Sequence, residues 1–313
     1  MFRLILQRLG MAVPTLLLIS VMVFALIRLI PGDPALLMLG DTADAQSLAA
    51  MRHSLGLDHS LPMQYLLWIK AVLSADLGVS ISSKQAVLPL IFDRFTVSAQ
   101  IVLVSVLLAT LIAVPVGMLA AWKQNSPLDL GLVASATLLL SIPSFWLGLL
   151  LLYTFGIQLE WLPVVGYVSF GANPGQALMY ILLPIVTLTL VEFGSIARMA
   201  RASTIEVLRL DYIAHARAKG LSEGAVLWRH ALRNAFAPTL TLVGLIVGNL
   251  LGGIAVLETV FTLPGIGRLM VDSIFARDYP VLQGCLLLIT AIYVMVNLLV
   301  DLLYPIFDPR VKL

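Results

Sequence analysis

Residues 211–221, DYIAHARAKGL, form the densest run of charge in a chain that is otherwise strongly apolar. Apolar residues make up 60% of the 313 residues and charged residues only 12%, about half the charged share that is usual in a soluble domain. Hydrophobic runs of roughly 20 residues flank this stretch, and a helix of that length crosses a bilayer core of about 30 Å. The sequence therefore predicts an all-α integral membrane protein.

The hydrophobic runs predict six transmembrane helices and three segments. The six helices are predicted at 9–30, 98–121, 130–157, 177–200, 239–260 and 282–304. The three segments are 1–30, with the tail and first helix; 31–97, an extracytoplasmic cap; and 98–313, a five-helix core that includes the loop 201–238. The first run has no convincing small-residue cleavage site, so we expect it to stay as an anchor rather than leave as a signal peptide.

The distribution of positive charge predicts the orientation. Most of the 19 Lys and Arg residues fall in the two terminal tails and in the loop 201–238. Short loops rich in these residues stay on the cytoplasmic side, whereas segments longer than about 60 residues cross largely regardless of charge. We therefore expect both termini in the cytoplasm.

The charged stretch itself predicts a short helix from Asp211 to Lys219. Asp211 suits the positive end of the helix dipole and could cap exposed N–H groups, and Lys219 suits the negative end. Gly220 supplies a left-handed stop. After it, Ser222 is predicted to cap a second helix that runs towards Pro238.

One face of the predicted helix is polar, and its remaining surface carries mostly small side chains. Asp211, His215 and Lys219 recur every four residues, whereas the side chains between them are mostly small. Two interpretations remain open, a basic loop on the lipid headgroups and a helix that docks on another protein. Since a lipid-bound helix would display bulky apolar groups, the small residues favour docking. The predicted docking residues are Asp211, Ala214, His215, Ala216, Arg217, Lys219, Gly220 and Leu221.

Glycines and polar residues within the predicted spans give further candidates. Gly244, Gly248 and Gly252 are four apart, which predicts a flat strip for close helix packing. Glu192 either pairs with Arg198 or Arg201 near the interface, or contacts a solute. Two further candidates are Asn249 and Asn297, whose side chains either form hydrogen bonds across helices or line the solute pathway.

Several function classes lack the residues that they need. The chain has no Gly-x-x-x-x-Gly-Lys-Ser/Thr phosphate loop, and Gly265-Ile266-Gly267 lacks a third glycine and predicts only a turn. Cys285 is alone, and the four histidines have no metal-binding spacing, so we expect no metal site and no catalytic residue. A stand-alone secondary carrier or channel remains the alternative, with Glu192 as its one candidate coupling carboxylate.

The stretch and five other motifs together resemble the permeases of binding-protein-dependent ABC importers, in their dipeptide, oligopeptide and nickel branch. Besides the loop, DYIAHARAKGL followed by WRHALRNAFAP, the motifs are RLIPGDPA (28–35), LGLD, QYLLWI and DLGVS (55–80), SIPSFWLGLLLLYTFG with WLPVVGY (141–167), LETVFTLPGIGRLMVDSIFARDYPVLQG (257–284) and DPRV (308–311). In the family's loop signature a Glu-Ala-Ala run is followed by Gly four residues later. Ala216 and Gly220 match it, but Ala214 and His215 replace the first two residues, so the polar contact would come from Asp211, Arg217 or Lys219.

The resemblance implies a six-helix type I permease in a prokaryotic inner (cytoplasmic) membrane, a translocation subunit and not an enzyme. It implies four kinds of partner: a second, homologous permease, two cytoplasmic ABC ATPases that bind ATP and Mg, an extracytoplasmic solute-binding protein, and membrane lipid, with no nucleic acid. This chain itself would hold no cofactor. The implied solute is a di- or oligopeptide, with glutathione and nickel complexes as the alternatives within the branch.

Overall fold

The computed structural model describes residues 2–29, 34–39, 44–54 and 56–307. Within these residues the regular structure is helical apart from one antiparallel bridge between Val79 and Ala86. The Pro31-Gly32 turn of the motif 28–35 and the tail motif 308–311 lie outside the described residues.

Fourteen α-helices and two π-helical turns follow one another in the described part of the chain. They are α1 (Phe2–Leu29), α2 (Pro34–Leu39), α3 (Ala45–Ser54), α4 (Leu61–Leu73), α5 (Val87–Trp122), α6 (Pro127–Ser141), α7 (Ser144–Leu151), a π-turn (Leu152–Gln158), α8 (Pro174–Leu208), α9 (Asp211–Ala218), α10 (Glu223–Ala225), a second π-turn (Val226–Ala231), α11 (Leu232–Gly253), α12 (Ala255–Val260), α13 (Ile266–Phe275) and α14 (Tyr279–Phe307).

Several of these helices are long and apolar enough to cross a membrane, which confirms the predicted all-α, multi-pass class. Among the described residues four single helices meet this test: Val87–Trp122, Pro174–Leu208, Glu223–Gly253 and Tyr279–Phe307. The bent pair α6–α7 makes a fifth when it is counted as one span. Within α1 the apolar part covers Gly10–Ala25.

The predicted third span, 130–157, differs from a straight helix. The pair α6 and α7, with its π-turn, is bent by 96°. The break falls at Ile142, whose backbone is extended at φ −92° and ψ 123°, because the ring of Pro143 disfavours a helical conformation for the residue before it. This segment is therefore a broken helix.

The predicted fifth span, 239–260, is also displaced. Its helix already begins at Glu223, continues through the π-turn and Pro238, and ends at Gly253. A separate short helix, α12, follows the break at Ile254. Gly252 and Gly253 precede this break, and glycine is a poor helix former. The part of the loop from Glu223 onwards and the span are thus one continuous rod.

The core lies where α5, α8 and α11 pack together. The longest helix interface joins α5 to α8, and it is tight: a Cβ atom at Gly117 would lie 2.5 Å from the carbonyl oxygen of Ala197. Helix α14 packs against α11 and also against α1. Buried aliphatic side chains of α5, α8 and α11 form one continuous apolar cluster that includes Ile101 and Ile196.

A buried carboxylate fastens the segment before α5 to the start of α14. Asp278 accepts hydrogen bonds from the Ser82 hydroxyl at 2.8 Å and from the backbone N–H groups of Ile81 and Ser82 at 3.1 Å, and from the Ser80 hydroxyl. Burial by itself raises the pKa of Asp278, but these hydrogen bonds outweigh it and hold the pKa below its ordinary value. Residues 80–82 are therefore held by an ionised carboxylate.

Candidate functional site

The charged stretch forms the predicted short helix and glycine turn. The helix α9 begins at Asp211 and ends at Ala218, and Lys219 follows as its C-terminal cap residue. Gly220 has φ +79°, a left-handed conformation that glycine adopts without strain. Ser222 then caps the next helix, accepting a hydrogen bond from the N–H of Ala225 at 3.4 Å.

The proposed capping role of Asp211 is not found. The residue at the capping position is Leu210, which makes no side-chain hydrogen bond to the first turn. Asp211 lies in that first turn, where its negative charge still faces the positive end of the helix dipole. Its contribution is therefore electrostatic, and its carboxylate is exposed.

One face of α9 is buried in the protein and the other is open. Ile213 and Ala216 are buried and belong to the main apolar cluster. Ala216 thus anchors the helix, although the sequence placed it among the docking residues. The exposed candidate residues are Asp211, Ala214, His215, Arg217, Lys219, Gly220 and Leu221. Two of these residues are small, and three, Asp211, Arg217 and Lys219, carry charge, so the exposed face combines small and charged side chains.

Two sets of contacts hold α9 against the rod that follows it. Across the Gly220 turn, the Arg217 guanidinium binds the Glu223 carboxylate through two bonds, Nε–Oε1 at 2.9 Å and Nη2–Oε2 at 3.1 Å. The Asn234 amide donates to the Tyr212 hydroxyl at 2.8 Å, and that hydroxyl donates to the His230 carbonyl oxygen at 3.4 Å. The α9 helix is therefore attached to the base of α11.

The base of α11 is attached in turn to α8. The Ser203 hydroxyl donates to the Ala235 carbonyl oxygen at 2.8 Å, and both residues are buried. The end of α8 leads directly into α9, so two long helices meet where α9 is held. A displacement of α9 would consequently move α8 and α11 together.

Glu192 does not pair with the arginines that the sequence suggested. Among the described residues it forms no ion pair, and Arg201 binds a different carboxylate, that of Asp129, through both Nε and Nη2, the latter at 2.8 Å from Oδ2. Asp129 also accepts the N–H of Asn125 at 2.9 Å. The interfacial pair predicted for Glu192 is therefore absent there, and Glu192 is half-buried on α8.

The Asp129–Arg201 pair was missed in the sequence because its two members are 72 positions apart. A local signal was available, since Ser126-Pro127 followed by Asp129 is a typical helix start. That signal predicts where α6 begins, but it does not predict that Asp129 pairs with a residue of α8. Asp129 is 2% exposed, so its charge depends on this partner.

The glycine strip packs against α14 of the same chain at two of its three positions. A Cβ atom at Gly244 would lie 2.4 Å from Cγ2 of Val300, and one at Gly248 would lie 2.2 Å from Cδ2 of Tyr293. A Cβ atom at Gly252 would meet no other part of the described chain within 4 Å. The close approach is therefore limited to Gly244 and Gly248.

The two asparagines have different surroundings. Asn249 is exposed on α11, so it can contact a solute or a partner chain at membrane depth. The Asn297 amide donates to the Tyr293 carbonyl oxygen of its own helix at 3.0 Å, which satisfies part of its hydrogen-bonding capacity locally. Neither makes the bond across helices that the sequence left open, within the part of the chain that is described.

A second buried carboxylate, Glu258, was also missed. It accepts hydrogen bonds from the Ser98 hydroxyl of α5 and from the Arg268 N–H at 2.8 Å, and the Ser98 hydroxyl accepts the N–H of Ile266 at 2.8 Å. Gly265 is required beside it, because a Cβ atom there would lie 1.9 Å from a carboxylate oxygen of Glu258. The Gly265-Ile266-Gly267 run therefore forms the start of α13, where the helix contacts the Glu258 carboxylate.

Helices α6, α8 and α11 enclose an open groove of about 490 Å³. Its polar residues, Ser195, Arg198 and Arg201, come from α8, and apolar residues of α6 and α11 complete it. Across residues 2–29, 34–39, 44–54 and 56–307, no three His, Cys, Asp or Glu side chains lie close enough to hold a metal ion. The polar side chains of the groove can offer positive charge, from the arginines, and a hydroxyl, from Ser195, to a solute.

Comparisons with known proteins identify the family of this chain. Residues 113–313 match the family described as binding-protein-dependent transport system inner membrane component, and residues 1–102 match its N-terminal companion. A probable peptide ABC transporter permease of Sinorhizobium fredii is 41% identical, with 98% of each chain covered. The dipeptide transport system permease protein of Alkalihalophilus pseudofirmus is 38% identical over 98% of each chain.

A third relative carries a different solute in its name. The glutathione transport system permease protein of Salmonella typhimurium is 41% identical and aligns with 100% of this chain and 99% of its own length. The family matches together cover nearly the whole chain, and the relatives align from end to end. This chain belongs to the family of binding-protein-dependent transport system inner membrane components, the membrane permeases of ABC importers.

Proposed function

We propose that this permease imports a di- or oligopeptide that an extracytoplasmic binding protein delivers. The names of relatives 38–41% identical support this solute class. ATP and Mg would be bound by two separate cytoplasmic ATPases, and a second, homologous permease would complete the pathway. The broken α6–α7 pair and α1 would bring the number of spans to six, with both termini cytoplasmic and residues 31–97 outside.

The observation that carries the mechanism is the anchorage of α9. Its exposed face is available to a cytoplasmic ATPase, while its buried face and the contacts to Glu223 and Asn234 fasten it to the rod that begins at Glu223. That rod has 31 residues, which is about 45 Å at 1.5 Å per residue. Because helices are stiff, closure of the ATPases would shift α9, α8 and α11 as a body and reorient the groove.

The experiment is uptake and ATP hydrolysis by the whole complex in proteoliposomes, with its binding protein outside. Gly220→Trp and the double variant Asp211→Ala/Lys219→Ala alter the exposed face of α9. Gly171→Trp is the control for added bulk, because a Cβ atom at Gly171 would also meet nothing within 4 Å and the residue lies in the loop before α8. The double variant leaves Gly220 in place and so tests the exposed face without strain at its left-handed φ. We expect the α9 variants to assemble but to lose uptake and binding-protein-stimulated hydrolysis, and the control to retain both.

Two results would contradict the proposal. Wild-type behaviour of both α9 variants would mean that this helix is a membrane-surface segment and not the coupling element. Transport by this chain alone, without ATPase or partner permease, would identify a stand-alone carrier or channel. Comparing a dipeptide, a longer peptide, glutathione and a nickel complex in the same assay assigns the solute.

A further inference from the structure

A second cavity, of about 400 Å³, lies far from α9, where the end of α1 meets α4 and the start of α14. Arg28 and Trp68 line it from α1 and α4, Asp76 from the following turn, and Tyr279 and Gln283 from α14. It is separate from the groove between α6, α8 and α11, with which it shares no lining residue. The proposed function leaves it without a role.

The cavity carries one cation and one anion with free hydrogen-bonding capacity. The Arg28 Nε donates to the Gln64 side chain at 3.0 Å, and its guanidinium lies 4.7 Å from the centre of the Phe24 ring. Its Nη groups have no acceptor among the described residues. Asp76 accepts the N–H of Gly78 through Oδ1 at 2.9 Å, which leaves Oδ2 available. The site therefore suits a ligand that carries both charges.

Two buried polar groups beside this cavity also lack partners. Tyr279 is 6% exposed and Gln283 is 9% exposed, and neither the Tyr279 hydroxyl nor the Gln283 Nε2 has a hydrogen-bond partner within the described part of the chain. A buried polar group without a partner destabilises the protein, because it has given up its hydrogen bonds to water. A ligand with acceptor oxygens in the cavity would relieve that cost for both.

The rim of the cavity has the composition of a membrane interface. Helix α4 has no buried residue and exposes a series of large apolar side chains, namely Leu61, Met63, Leu66, Leu67 and Leu73. It is held to the end of α1 by the aromatic cluster of Phe24, Tyr65 and Trp68 and by a 2.8 Å hydrogen bond between Ser20 and Tyr65. Aromatic residues at the end of a span are typical of the headgroup level. These features fit a helix that lies at the headgroup level of a bilayer.

We propose that this cavity binds the headgroup of a phospholipid with a primary ammonium group, of the phosphatidylethanolamine type. The phosphate would accept hydrogen bonds from Arg28, Tyr279 and Gln283, and the ammonium would donate to Asp76. A trimethylated ammonium has no N–H to donate, so choline lipids would bind less well. The orientation proposed above places this lipid in the outer leaflet; the site itself does not depend on the transported solute.

The experiment measures which lipid stays with the purified importer complex after reconstitution in nanodiscs of ethanolamine, choline and glycerol phospholipids in equal parts. The complex is re-extracted, and the retained lipid is quantified by mass spectrometry. We expect the wild type to enrich the ethanolamine lipid, and Arg28→Met and Tyr279→Phe to lower that enrichment, Arg28→Met by about tenfold because a charged hydrogen bond is lost. Asp76→Asn should abolish the preference for ethanolamine over choline.

Lys70→Met is the matched control, since Lys70 is exposed on α4 and does not line the cavity. It should retain the wild-type lipid. If Lys70→Met, Tyr279→Phe and Asp76→Asn all enrich the ethanolamine lipid equally, the proposal is overturned, even if Arg28→Met fails to fold. Preference for the glycerol lipid regardless of Asp76 would also overturn it, as would release of the lipid by a transported peptide.

Discussion

The guanidinium of Arg201 on α8 and the carboxylate of Asp129 at the start of α6 form a nearly buried ion pair. The pair joins the broken third span to the long helix that leads into α9. Removing one member of a buried pair strands the other charge in a medium of low dielectric, which costs more than the pair itself contributes. The connection between α6 and α8 therefore depends on both residues.

Asp129→Ala should destabilise the protein by about 1–3 kcal/mol, because Arg201, which is 23% exposed and borders the open groove, loses its charged hydrogen bonds. Thermal unfolding of the purified chain in detergent measures this. In the double variant Asp129→Leu/Arg201→Met the stranded charge is gone, and most of the stability should return.

The control is the Arg268–Asp272 pair, whose atoms are 3.8 Å apart and whose side chains are 37% and 67% exposed. Asp272→Ala should change stability by less than about 1 kcal/mol. A loss as large as that of Asp129→Ala would mean that burial does not explain the difference.

Gly248→Ala should destabilise the contact between α11 and α14, since its Cβ would overlap the Tyr293 ring at 2.2 Å. Overpacking of this kind costs about 1–3 kcal/mol. Gly252→Ala is the matched control on the same helix, because its Cβ would meet open space and alanine favours helix by about 1 kcal/mol. The unfolding temperature should fall for the first variant and stay or rise for the second; the reverse order would refute the packing.

Glu223→Arg should reduce binding-protein-stimulated ATP hydrolysis with little effect on stability. Its pair with Arg217 is about 40% exposed on each side, so the pair contributes at most about 1 kcal/mol to stability, but it fixes α9 relative to the rod. The swapped double variant Arg217→Glu/Glu223→Arg rebuilds the pair and should recover hydrolysis. If the swap stays as defective as the single variant, the individual charges matter and not the pair.

Asp278 should make stability depend on pH in the acid range. Burial raises the pKa of Asp278, but hydrogen bonds from Ser80, Ser82 and Ile81 lower it by more than burial raises it. The pKa in the folded protein therefore lies below the ordinary 3.8. A carboxylate with a depressed folded pKa stabilises the protein above its unfolded pKa, and this contribution is lost as the pH falls through the folded value.

Asp278→Asn should therefore destabilise the chain near neutral pH by about 1–3 kcal/mol and flatten the decline in unfolding temperature below about pH 4. Asp93→Asn, an exposed carboxylate on α5, is the control and should leave the profile unchanged. An unchanged profile in Asp278→Asn would show that residues 80–82 are held by other contacts.

The local pattern of the sequence was sufficient for the class of the protein and for the shape of the charged stretch. Apolar runs of membrane length predicted the long helices because a bilayer requires each backbone group to be paired within its own segment. Gly220 predicted a left-handed turn, and the small residues around His215 predicted a slender helix, since both depend on neighbours within one or two turns. The family resemblance rested on such short motifs in order along the chain.

The tertiary structure decided which groups the buried carboxylates bind and where the helices pack closely. Asp129 with Arg201, Asp278 with Ser80 and Ser82, and Glu258 with Ser98 are pairs that lie 72 to 198 positions apart, and hydropathy carries no signal for them. The same holds for Gly248, which packs against α14 while Gly252 does not. Local backbone preferences fix each helix from nearby residues, but which side chains meet depends on how the helices cross, and that is settled only when the whole chain packs.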